Sequence, residues 1–152
     1  MRRKDKEITD KAAIRSIIEK ATVCRLAMVD GDKPYIVPLS FGYQDDVLYF
    51  HGSLKGRKID ILRKNPKVCF EFDLIAEPVE SENACDWSMK YQSVTGFGKA
   101  VFIENPDEKR EALSVIMAQY SDRQFQFPEK MLKATAVIKV KIESITGKQS
   151  GF

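Results

Sequence analysis

Six consecutive residues carry the densest chemical signal in this chain. Ser53-Leu54-Lys55-Gly56-Arg57-Lys58 sets a hydroxyl, a glycine and three cations side by side. An apolar run precedes them and a helical pattern follows, so they occupy a strand-to-helix junction. Free N–H groups and the positive end of the helix dipole favour an anion at such a place. Arg57 offers a planar fork for bidentate phosphate contact, and Lys58 adds a second point charge. A merely solvated helix start is the plainer reading of the same residues. His51 ends the strand before them. It is either a polar group beside a ligand, titrating near neutral pH, or a hydrogen-bonded structural histidine. Cys85 and Trp87 sit in an acidic stretch just before Tyr91, where an aromatic ring can cover a planar ligand or simply join a core or an interface.

The counts of other residues exclude several chemistries. His51 is the single histidine, so a histidine-rich metal centre or a two-histidine catalytic site cannot be built within one chain. Cys24, Cys69 and Cys85 form no CxxC pair, and their sparse, odd number suits a reducing compartment. Cys24 and Cys69 read as small core residues, Cys85 as exposed. Twenty-five Lys and Arg against 22 Asp and Glu leave a net charge of +3, too little to indicate nucleic acid. No apolar run follows the N-terminal charges and none approaches membrane length, so no signal peptide and no membrane partner are expected. The 152 residues suit one domain, 1–152, of a cytoplasmic protein.

The elements that must position these groups follow from periodicity. Ile14, Ile17, Ile18 and Ala21 fall on one helical face behind Asp10, a fair N-cap. Val23 to Val29, Tyr35 to Tyr43 and Val47 to His51 alternate as strands with short turns between them, which predicts an antiparallel meander. Pro38 cannot donate to a ladder, so it marks an edge, a bulge or an interrupted pairing; an interruption would free backbone groups for a ligand. A short helix from Ile59 to Lys64 ends before Pro66. Lys67 to Leu74 reads as a strand, Ala76 to Asp86 as an irregular loop, and Tyr91 to Ile103 as a long strand. Gly96 and Gly98 on it permit a bend or a close approach. Asn105-Pro106-Asp107-Glu108 starts a helix reaching about Tyr120. Thr135 to Ile142 is a half-exposed final strand. The sum is a mainly β fold with peripheral helices, a small barrel of about six antiparallel strands.

Several segments together carry a family resemblance. They are Met1 to Ile8, Val23-Cys24-Arg25-Leu26, Pro34 to Tyr43, Leu48-Tyr49-Phe50-His51, Gly56-Arg57-Lys58-Ile59-Asp60, Asn65 to Phe70 and Tyr91 to Ala100. In this order and spacing the chain resembles the nitroimidazole-resistance (Nim-type) branch of the pyridoxamine 5′-phosphate oxidase-like flavin proteins. The resemblance covers the chain to about residue 120 and is less distinct beyond.

It implies a split β-barrel homodimer with FMN at the subunit interface. The isoalloxazine would lie against Val37, Pro38, Leu39 and Ser40, and the phosphate would go to Ser53, Arg57 and Lys58. His51 would lie close to the flavin as the catalytic candidate. Trp87, Tyr91 and Ser93 would be contributed across the interface. The implied function is an FMN-dependent oxidoreductase taking electrons from a small donor and reducing a small acceptor, such as a nitro-substituted heteroaromatic. A non-catalytic flavin binder or sensor is the alternative, because no acid–base pair is evident around His51. A flavin-free interaction module survives if Arg57 and Lys58 are only solvated.

Overall fold

The computed structural model describes residues 2–152; Met1, where the first motif begins, lies outside them. Its centre is one antiparallel sheet. The strands are β1 (Glu7–Ile8), β2 (Cys24–Asp30), β3 (Lys33–Leu39), β4 (Gly42–Gln44), β5 (Val47–Ser53), β6 (Lys67–Val79), β7 (Ser88–Ile103) and β8 (Thr135–Ser150). They are ordered β3-β2-β6-β7-β8-β5-β4, with β1 added beside β8. Four helices join them: α1 (Lys11–Lys20), α2 (Arg57–Lys64), α3 (Pro106–Ala118) and α4 (Glu129–Ala134). The mainly β class holds, with eight strands rather than six because the long return strand divides and β1 is added.

The meander does not form as expected. β2 pairs with β3 and β4 with β5, but β3 and β4 are the two opposite edges of the sheet. The barrel is therefore split, and the chain crosses the split at Ser40 and Phe41. Phe41 turns inward there, fully buried with its ring centroid 4.8 Å from that of Phe72. Its N–H donates to the Tyr120 hydroxyl at 2.9 Å, and that hydroxyl donates to the Thr22 carbonyl at 3.0 Å. The break thus lies after Pro38, not at it. Pro38 pairs with Arg25 on edge strand β3, where a missing donor costs the sheet least.

The inner face is filled by Leu26, Phe50, Phe70, Phe72 and Val94, with α1 contributing Ile14, Ile17 and Ile18. Asp10 caps α1 by accepting from the Ala12 N–H, as its position suggested. A smaller outer cluster of Ile103, Leu113, Ile116, Leu132 and Val137 seats α3 and α4. Gly96 is a point of close approach. A methyl group there would stand 2.3 Å from the Phe70 ring and 2.7 Å from the Ser144 carbonyl. The register shifts between Phe97 and Gly98, which supplies the expected bend.

Three strands run longer than periodicity suggested. β6 continues to Val79 and β7 begins at Ser88, so much of the expected loop is a two-stranded ribbon; β8 continues to Ser150. At the base of that ribbon the ladder shifts between Leu74 and Ala76, and Ile75 between them has φ +56°. A β-branched residue is strained in this left-handed region. Ile75→Asn is expected to raise stability by about 1 kcal/mol, since asparagine tolerates the conformation and little burial is lost. Denaturant unfolding would measure it; a loss of stability would show that packing of Ile75 outweighs its backbone.

Candidate functional site

At one end of the split, the β5–α2 junction faces edge strand β3 across a cleft of ≈ 290 Å³. Tyr35 and Val37 form one wall; Ser53, Lys55, Gly56, Arg57, Lys58 and Ile59 form the other. Gly56 holds φ +134°, a conformation that suits glycine and brings the chain sharply into α2. No side chain caps the start of α2, so its first N–H groups remain available. The helix begins two residues earlier than expected, which places Arg57 and Lys58 in its first turn rather than ahead of it.

The two cations differ in state. Arg57 is held on one side by Asp30, at 3.7 Å from the β2–β3 turn, and lies 4.5 Å over the ring of Tyr35. Lys58 has no carboxylate within ion-pair distance among the described residues. Its ammonium folds back over β5, where a methyl group added to Gly52 would lie 3.2 Å from Nζ. Partial burial lowers the Lys58 pKa. His51, one pleat before Ser53 on the same strand, also has a lowered pKa, first from desolvation and then from the Lys58 charge.

Lowering a base's pKa favours the neutral form in the fold, so this contribution to stability is present above about pH 6.5. It is lost as pH falls through that value toward the lower folded pKa. A dianion entering the cleft would oppose the His51 shift, so its binding near pH 6 is expected to take up a proton at that imidazole. Calorimetry in buffers of different ionisation heat would detect the uptake; a heat independent of buffer would remove His51 from the neighbourhood of the bound anion.

The structure therefore brings Val37, Ser53, Arg57 and Lys58 together and sets His51 beside them through Lys58. Pro38, Leu39 and Ser40 continue the same edge toward the split without lining this cleft. Trp87, Tyr91 and Ser93 lie elsewhere within the chain. Ser53 pairs with Thr135 and Tyr91 with Ser150, at opposite ends of β8, 15 positions apart. At ~3.3 Å per residue that is about 50 Å of strand. Trp87 is 51% exposed at the ribbon, its indole N–H donating to the Ser81 carbonyl at 2.7 Å. Sequence reasoning missed Tyr35, Asp30 and Tyr120, whose partners are distant in the chain.

The outward face of the sheet carries a further departure. Ile36, Ala27, Cys69 and Phe97 form one cross-strand row, with Ile36 59% and Phe97 55% exposed. Cys69 is thus half-buried in this row and not a core residue, while Cys24 is buried and Cys85 exposed as read. Among the described residues no group of three His, Cys, Asp or Glu could hold a metal, and no helix is long and apolar enough to cross a membrane.

An open antiparallel barrel with flanking helices defines a mainly β class of protein found in several solved structures. Residues 10–149 match the family described as pyridoxamine 5′-phosphate oxidase, and the chain belongs to that family. It is 39% identical to a candidate 5-nitroimidazole antibiotic resistance protein from Bacteroides thetaiotaomicron. That alignment covers 93% of this chain and 85% of the other, with a TM-score of 0.86. The resemblance carried by the quoted motifs is upheld. The FAD and heme binding protein of Mycobacterium smegmatis shares the fold at 22% identity and a TM-score of 0.89, over 97% of this chain and 74% of that one. An uncharacterised protein of Rhizobium meliloti, RA0666, is 37% identical over 57 residues, 38% of this chain and 37% of that curated relative's length.

Proposed function

We propose that this protein is an FMN-dependent oxidoreductase, acting as a homodimer, that reduces a small acceptor such as a nitro-substituted heteroaromatic. The observation that carries the reading is the cleft at the β5–α2 junction. An uncapped helix start, an unpaired and partly desolvated Lys58 and the Arg57 fork together suit a phosphate. Bound flavin supplies the electron chemistry; the protein binds, orients and shields it. Arg57, Lys58 and the Ser53 hydroxyl would hold the phosphate, and Val37 to Ser40, along the same edge strand, would contact the remainder of the cofactor. His51, neutral above its lowered pKa, would be able to accept or return a proton at its imidazole.

One chain is not enough. The cleft's ≈ 290 Å³ lies at the lower limit of small-molecule sites and holds a phosphate and ribityl chain better than three fused rings. The missing wall comes from a second copy through the exposed Ile36–Phe97 row, since a contiguous apolar patch marks an association surface. The same copy brings Trp87, Tyr91 and Ser93, which the strand arithmetic keeps away from their own chain's cleft.

The non-catalytic flavin binder is favoured by one observation: Lys58 is the charged neighbour that shifts His51, and no carboxylate does. Purified protein should be yellow, with about one FMN per chain, and should oxidise reduced nicotinamide when a nitroaromatic acceptor is added. Flavin without turnover for any donor supports the binder. A colourless protein that takes up no FMN overturns both, and a monomer that holds FMN overturns the two-copy site.

A further inference from the structure

We propose that Tyr35 is a positioning residue for the anion cleft, holding the Arg57 guanidinium against its ring so that the remaining N–H donors face the incoming phosphate. This rests on the reading of the cleft as a phosphate site and adds a residue to it. Arginine is long and flexible, and ordering it on binding costs rotamer freedom. In this chain much of that ordering is done beforehand. The Arg57 carbon Cζ stands 4.5 Å from the Tyr35 ring centroid, within cation–π range. Asp30 approaches the same group from the β2–β3 turn at 3.7 Å. One face of the fork is thus taken by the ring and one nitrogen by a carboxylate.

The placement of Tyr35 makes this possible. It is half-buried on β3, opposite buried Met28 of β2, so β3 and the core fix its backbone and ring. It also lines the cleft that Arg57 lines. A tyrosine anchored on a strand and an arginine on a helix start form a clamp spanning the two walls. Lys58 lacks any such support, so the directional contact falls to Arg57 and the bulk charge to Lys58.

The test compares FMN with riboflavin, which differ only in the phosphate, by titrating protein freed of bound flavin. Wild type should prefer FMN. Tyr35→Leu should reduce that preference about two- to fivefold, the affinity equivalent of ~0.5–1 kcal/mol for an exposed cation–π contact, by weakening FMN more than riboflavin. Tyr35→Phe should keep the preference, and Tyr35→Leu added to Arg57→Ala should change nothing further. A merely structural Tyr35 would weaken both flavins equally. If Tyr35→Leu does not fold, Tyr35→Met takes its place. Side-chain resonances of Arg57 in the unliganded wild type should also be shifted upfield by the ring. A wild type with no preference for FMN overturns the phosphate reading itself. A preference that survives Tyr35→Leu, or unshifted Arg57 resonances, overturns the role of Tyr35 alone.

Discussion

Lys109→Met is expected to lower the unfolding free energy by about 2–4 kcal/mol. Lys109 is 7% exposed, and its ammonium donates to the Leu132 and Thr135 carbonyls, each at 2.9 Å. No carboxylate shares the site among the described ion pairs, so carbonyl oxygens at the end of α4 provide its compensation. A hydrogen bond to a charged group contributes ~1.5–3 kcal/mol, and two are lost together. Methionine relieves the burial of charge but removes a charged donor from two carbonyls at the C-terminal end of α4, where Leu132 keeps only the Thr135 N–H, and the second effect is the larger. The loss should appear as a fall in Tm of roughly 4–16 °C, on the scale of ~2–4 °C per kcal/mol for a chain of this size. Thr135 is the strand partner of Ser53, so the same substitution should loosen the far wall of the cleft. A Tm within a degree of wild type would show that other contacts hold α4 and the start of β8.

These long-range ties explain which parts of the protein were legible in the sequence. Three of the four helices were, because their signals are local; the six-residue α4 after Pro128 was not, since so short a turn leaves no periodic pattern. Asn105 accepts from the N–H groups of Asp107 and Glu108, and Pro106 opens α3, as four adjacent residues announce. The short turn expected before Val47 falls at Asp45 and Asp46, both with positive φ. The position of the split was not legible. Nothing near Phe41 says that its N–H will find Tyr120, 79 residues away. Nor does alternation reveal that β3 and β4 end up on opposite edges, since pairing partners are a property of the closed sheet. The ribbon formed by Glu77–Val79 and Ser88–Lys90 was obscured by acidic composition, which resembles a loop until the strands are paired.

The cleft shows the same division. Arg57 and Lys58 stood out by type and spacing, because an anion site at a helix start is assembled from neighbours. Their inequality did not, since Asp30 and Tyr35 lie on another hairpin. That inequality has a consequence for ligand binding. Asp30 already pairs with one nitrogen of Arg57, so phosphate would meet the remaining N–H donors and compete only for that one. An exposed ion pair at 3.7 Å contributes ~0–1 kcal/mol, whereas a charge-assisted contact to phosphate contributes ~1.5–3 kcal/mol. Phosphate is therefore expected to win the guanidinium.

Arg57→Ala is accordingly expected to weaken FMN at least tenfold, one factor of ten for each ~1.4 kcal/mol, while riboflavin binding stays within about twofold. Arg57 is half-exposed, so the difference between FMN and riboflavin should shrink as salt is raised and the contact is screened. Lys58→Ala should act differently. Its ammonium is partly desolvated and unpaired, so removal relieves strain in the empty protein while costing charge in the complex. The free protein should gain slightly in Tm, His51 should titrate closer to its ordinary pKa, and FMN should still be lost in part. Fluorescence quenching of each flavin against each variant at two salt concentrations separates these effects. Unchanged FMN affinity in Arg57→Ala would remove the phosphate from this cleft, and with it the argument that places the flavin at the split of the barrel.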